Sequence, residues 1–160
     1  MGDAITEFCT LKDPDYFSEN NYINRGISGQ TSSQMVLRFQ QDAIDNKPQA
    51  VIILAGTNDI AENSGAISNK NILKNIKSMV EIAQYNQINV IICSVLPAYN
   101  FAWKKGLNPA LKIIDINKII KTYAEEKNLK YVDYNSEIKD ERNGLDNIKT
   151  VDGGHTKEKG

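Results

Sequence analysis

Apolar residues in this chain fall into two alternating patterns. Ala50-Val51-Ile52-Ile53-Leu54-Ala55 is an unbroken apolar run of strand length, and Ile88 to Val95 is a second, rich in β-branched residues. Leu129 to Tyr134 forms a shorter third. Unbroken runs of this length fit strands buried on both faces, as in a parallel sheet covered by helices. Between them the period changes. Met35, Phe39 and Ala43, with Val36 and Ile44, share one helical face. Ile72, Ile76, Met79, Val80 and Ala83 do the same within a helix expected from about Asn69 to Tyr85, and Ile113, Ile116, Ile120, Tyr123 and Ala124 within a helix reaching about Lys127. Start signals agree with these helices. Thr31-Ser32-Ser33-Gln34 has capping-box spacing, and Asn108-Pro109 supplies an N-cap and a first-turn proline. Upstream, Gly2-Asp3 reads as the end of a strand passing into a loop. Residues 10–21 read as a turn-rich stretch around Asp13-Pro14-Asp15, and Tyr22 to Ile27 as a short strand.

Strands alternating with helices predict an α/β fold with a mostly parallel sheet and helices on both faces. Ligands in such sheets bind beyond the carboxyl ends of the strands. The residues there are Asp3-Ala4, Ser28-Gly29, Gly56 to Asn58 and Val95 to Pro97. The 160 residues suit one domain spanning 1–160. A net charge of −1 leaves no basic footprint for nucleic acid, and no apolar run is long enough for membrane insertion. Cys9 and Cys93 fit free thiols better than a staple, although two cysteines do not exclude one disulfide. No cluster has metal-site spacing, and no cofactor is expected.

The chemistry-bearing residues gather on that rim. Asp152-Gly153-Gly154-His155 holds the only histidine, with a carboxylate three residues before it. An imidazole near its own pKa and a carboxylate on one tight turn are the parts of a general base and its orienter. Alone, the stretch is more often a surface turn or a cap. Asn58 in Gly56-Thr57-Asn58-Asp59 can donate its amide to a developing oxyanion, or can cap its turn. Gly29 lets its backbone N–H approach a substrate, or serves a plain turn. Asp59 is a second carboxylate on the rim, but Asp152 is better spaced from the histidine. Residues 97–108 carry Tyr99, Phe101, Trp103, Lys104 and Lys105, an aromatic loop that suits a sugar ring or acyl chain, or simply pins itself to the core.

Four blocks in order, Gly2-Asp3-Ala4, Ile27-Ser28-Gly29-Gln30-Thr31, Gly56-Thr57-Asn58-Asp59 and Asp152-Gly153-Gly154-His155, resemble the SGNH hydrolases, also called the GDSL esterase/lipase family. The resemblance covers nearly the whole chain. It implies a flavodoxin-like three-layer α/β/α domain that hydrolyses esters through a Ser-His-Asp triad. His155 would be the base and Asp152 its orienter. The oxyanion hole would use the backbone N–H of residue 4, the Gly29 N–H and the Asn58 amide. Asp3 and Tyr99 would contact the substrate. The nucleophile position holds Ala4, which has no hydroxyl and cannot form an acyl-enzyme. Thr6, two residues on, is expected to point elsewhere. Ala4 is either an engineered replacement or a natural loss. The retention of Asp152, His155, Gly29 and Asn58 favours a recent one. The resemblance also places a first strand before Met1 and a last helix beyond Gly160, so the chain is expected to be incomplete at both ends.

Ser94-Val95-Leu96-Pro97 is similar to the branch containing carbohydrate acetylesterases and platelet-activating-factor acetylhydrolase-like enzymes. That implies removal of a short acyl group, acetyl first, from a carbohydrate or similar small alcohol. The alternatives are a non-catalytic binding protein of the same fold and a nucleotide-binding domain. The last lacks a glycine-rich phosphate loop. The compartment is left open by the sequence.

Overall fold

The computed structural model describes residues 1–145. Its elements run α1 (Ala4–Lys12), α2 (Pro14–Glu19), α3 (Ser32–Asp42), β1 (Ala50–Ile53), α4 (Thr57–Ile60), α5 (Asn69–Tyr85), β2 (Asn89–Cys93), α6 (Pro109–Glu126), β3 (Lys130–Val132) and α7 (Tyr134–Ile138). The strands pair in parallel in the order β1-β2-β3, with Ile53 opposite Ile92 and Cys93 opposite Val132. Met1 and Gly2 lie on the other side of β1. Leu54 N–H donates to the Met1 carbonyl at 3.1 Å, and Ile27 N–H donates to the Gly2 carbonyl at 3.1 Å. The fold is a parallel α/β sheet with helices on both faces, as the alternating pattern requires.

The main core lies between the sheet and α3, α5 and α6, where Phe39, Met35, Ile53, Ile76, Ile92, Ile116 and Ile120 are fully buried. On the opposite face Leu54, Cys93 and Leu96 pack with Ile5 of α1 and Ile138 of α7. That second layer covers only the carboxyl end of the strands. Ile52 is 48% exposed, so β1 alternates between buried and open positions rather than being buried on both faces. Cys9 and Cys93 are free thiols. Burial pushes the Cys93 thiol up to about 11, which keeps it protonated and unreactive.

Four expectations are corrected. The stretch 10–21 is largely helical, with residues 10–12 in α1 and 14–19 in α2, because Asp3 and Asp13 accept from Ile5 N–H and Tyr16 N–H, capping two short helices. Tyr22 to Ile27 is reduced to one bridge between Gly26 and Gly2, since only Gly2 faces it. The turn after β1 is the single-turn helix α4. Gly56 enters it at φ +128°, a conformation open to glycine, and a Cβ there would meet Val95 Cγ2 at 2.8 Å. Beyond β3, where no helix is expected, α7 is started by the Asp133 side chain accepting from Ser136 N–H.

The capping box forms as read, with Thr31 N–H donating to Gln34 Oε1 at 2.9 Å. Among the described residues no helix is long and apolar enough to cross a membrane.

Candidate active site

The carboxyl ends of the strands feed three turns that meet. Asp3 precedes α1 and is 1% exposed. Its Oδ1 accepts from Ile5 N–H at 3.0 Å. Ala4 is the first helical residue and is 4% exposed. As at any helix start, its N–H has no acceptor inside the helix, and it has none elsewhere among the described residues. Gly29 has φ +77°, and no atom lies within 4 Å of where its Cβ would be. Its N–H likewise finds no acceptor among the described residues. An unpaired N–H at a helix start and another in an open glycine turn suit an incoming anionic oxygen.

Asn58 joins these two turns. It is 6% exposed in α4. Its Nδ2 donates to the Gln30 carbonyl at 3.0 Å and lies 3.4 Å from Asp3 Oδ2. The amide therefore bridges the residue before Ala4 and the residue after Gly29. The contact to Asp3 is long for a hydrogen bond, so that proton is the one an incoming oxygen can take. Asp59, the next residue, turns the other way. Its carboxylate accepts from Ser32 N–H at 2.7 Å and Ser32 Oγ at 2.6 Å, tying α4 to the start of α3. Burial raises the Asp59 pKa, and the Ser32 hydrogen bonds oppose that rise.

Further out, Asn63 Nδ2 donates to Asn58 Oδ1 at 2.8 Å, and Trp103 Nε1 donates to Asn63 Oδ1 at 3.4 Å. Trp103 stacks on the buried Phe101 with ring centroids 4.9 Å apart. Tyr99 lies elsewhere. Its ring faces the Arg142 guanidinium at 5.5 Å, and its Cβ packs close to Gly144. Trp103, not Tyr99, is the loop residue hydrogen-bonded toward Asn58. Thr6 stands over Gly2, and its carbonyl accepts from Asn24 Nδ2. Val95, on the expected rim, is instead held by Asn117 Oδ1 at 2.7 Å from its N–H. Asp152 and His155 lie outside the described residues. Among the described residues no group of three or more His, Cys, Asp or Glu side chains is placed to hold a metal ion.

Comparisons with known proteins identify the family and the fold. A family model of the GDSL-like lipase/acylhydrolase family matches residues 1–160. The chain belongs to that family. A GDSL-like lipase from Bacteroides thetaiotaomicron VPI-5482 is 43% identical with a TM-score of 0.95, over 98% of this chain and 78% of that one. A candidate acylhydrolase from Bacteroides fragilis NCTC 9343 is 42% identical with a TM-score of 0.97, over 99% of this chain and 77% of that one. The uncharacterized lipoprotein YqeF of Bacillus subtilis (strain 168) is 35% identical over 78 residues, 47% of this chain and 32% of that protein. The chain thus aligns with about a third of this curated relative. Likeness to GDSL structures at this level fixes the three-layer α/β/α architecture.

Sequence reasoning named Gly29, Asn58 and Asp3 for the site but not Asn63, Ser32 or Asn75, whose side chains are hydrogen-bonded to Asn58, Asp59 and Ser32 respectively. Asn75 Nδ2 donates to Ser32 Oγ at 2.9 Å. The only local signal for Asn63 was its place five residues after Asn58 on the far side of a one-turn helix.

Proposed function

We propose that this chain is a carboxylic ester hydrolase framework for short acyl groups, acetyl first, carried on a carbohydrate or similar small alcohol. Its nucleophile position is Ala4. The observation that supports the reading is the Asn58 amide bridging Asp3 and Gln30, the neighbours of Ala4 and Gly29, whose N–H groups have no acceptor among the described residues. In this reading those three donors form the oxyanion hole, His155 is the base, Asp152 orients it, and residues 1–160 act as one domain. A serine at position 4 would attack the carbonyl, passing its proton to His155. The acyl-enzyme would then be hydrolysed by water activated by the same base. With alanine there, the hole remains but the covalent step is lost, leaving residual catalysis of roughly 10³–10⁴ over water. Asp3 acts by holding the helix start, and a substrate contact at Tyr99 would have to come from its place beside Arg142, away from Asn58.

The test is hydrolysis of p-nitrophenyl acetate by the full chain, as it stands and with Ala4→Ser. Activity in the serine form alone, removed again by His155→Ala, is expected. That activity should fall as acid protonates His155, and a flat profile between about pH 5 and 8 would count against the base assignment. Comparable activity in both forms, beyond that residual level, would show that the nucleophile is not at position 4. A second reading, a binding protein that has lost its nucleophile, is favoured by Ala4 itself. It predicts a folded Ala4→Ser protein that binds esters without turnover.

A further inference from the structure

An amide donor helps catalysis only if its nitrogen, not its oxygen, faces the reacting carbonyl. Asn58 is held that way round by its neighbours. Glu62 has φ +57°, which turns the chain back after α4. Asn63 is then tethered to Asn58 twice, by its N–H to the Asn58 carbonyl at 3.0 Å and by Nδ2 to Asn58 Oδ1 at 2.8 Å. A donor on Asn58 Oδ1 fixes the amide, because the opposite flip would set two NH₂ groups against each other. Asn63 could itself flip, but its Oδ1 faces Trp103 Nε1, an atom that can only donate, and its Nδ2 faces the Gly29 carbonyl; both contacts are long, at 3.4 Å, and so bias the side chain weakly while the 2.8 Å bond to Asn58 Oδ1 carries the restraint. Asn63 Nδ2 also lies 3.4 Å from the Gly29 carbonyl, so the same side chain touches both turns of the site.

We propose that Asn63, backed by Trp103, is a positioning residue that fixes the orientation of the Asn58 amide and links it to the Gly29 turn. Its catalytic meaning rests on the oxyanion reading above; its structural content does not. Asn63 lies at the exposed edge of the network, so substrate or water can reach it. The restraint is therefore graded rather than absolute. Trp103 is 41% exposed, so this backing contact also stands partly in solvent.

The first measurement is made on the chain with Ala4 in place, by following the Asn58 side-chain amide in proton–nitrogen spectra. Asn63→Asp keeps the shape and the acceptor for Trp103 but removes the NH₂ donor. It should shift both Asn58 amide protons and speed their exchange several-fold. Trp103→Phe, which keeps the stack on Phe101 but removes the N–H, should act in the same direction and less strongly. Unchanged Asn58 signals in Asn63→Asp overturn the proposal. The second measurement uses Ala4→Ser. There Asn63→Asp should lower kcat roughly three- to tenfold with KM held, the size of one ordinary hydrogen bond. No further loss should follow when Asn58→Ala is also present. Losses that multiply would overturn the relay, since Asn63 would then act independently. If Asn58→Ala alone leaves turnover unchanged, the oxyanion assignment fails, and the amide spectrum still decides the relay.

Discussion

Asn58 and Asp59 are adjacent, yet one faces the site and the other faces away from it. The single turn of α4 separates their side chains, and each finds buried donors or acceptors on its own side. Asp59 is the more costly to remove. Asp59→Ala leaves Ser32 N–H and Oγ without their acceptor in a buried place, a loss of about 1–3 kcal/mol. For a chain of this length that lowers the melting temperature by roughly 2–4 °C per kcal/mol. The pH dependence has a definite sign. Burial raises the Asp59 pKa above its ordinary value, so the folded state holds the proton where the unfolded state has released it. The stabilisation is present at low pH and is lost as pH rises through the folded pKa. Asp59→Asn, which cannot titrate, should flatten that part of the curve of stability against pH in the acid range. Melts at several acid pH values check this, and an unchanged slope would assign it to other groups.

Among the elements, α3 does the most to hold the site together. Arg38 projects from it and donates to the Gly2 carbonyl at 3.1 Å, the Arg25 carbonyl at 3.0 Å, Gln30 Oε1 and Asp42. One guanidinium thus ties the turn before Ala4 to the turn carrying Gly29. Arg38→Ala should lower the denaturant midpoint by the equivalent of about 1–3 kcal/mol, because the carbonyls it leaves are partly buried. Arg38→Lys should restore little of it, since an ammonium lacks the planar fork. Full rescue by lysine would show that only charge matters here. The helices that carry long apolar stripes were legible in the sequence: α5 and α6 fall where their stripes place them, and α3 does so up to Asp42, with Ala43 as its C-cap and Ile44 in a separate 3-10 turn. The short ones were not. Asp13-Pro14 and Asn108-Pro109 are the same start signal, but the first opens six residues with no buried side chain and the second opens eighteen with a continuous inner face. Without a stripe, a cap reads as a turn. The strand expected over Tyr22–Ile27 failed for a related reason, because a ladder depends on its partner, and among the described residues Gly2 alone pairs with it.

At the scale of the molecule, the strand ends bring Asp3, Gly29 and Asn58 together, although up to 55 residues separate them in sequence. The motifs were legible because each is local. The Asn63–Trp103 link was not, since it depends on how two loops fold back over one rim. This separation of scaffold and chemistry makes position 4 a sharp test. No hydrogen bond in the network around Asn58 uses the side chain of residue 4. If position 4 opens toward the site, the hydroxyl of Ala4→Ser meets water or the base. Serine is also well tolerated at a helix start. Stability should then change by no more than about 0.5 kcal/mol, or roughly 2 °C in melting temperature. If instead Ala4 is sealed into the packing of α1 against the sheet, the added hydroxyl is buried without a partner and costs about 1–3 kcal/mol. Thermal melts of the two proteins separate these outcomes without any substrate. A drop beyond about 4 °C would mean that the side chain at position 4 cannot face a reacting carbonyl, and the nucleophile assignment would fall with it.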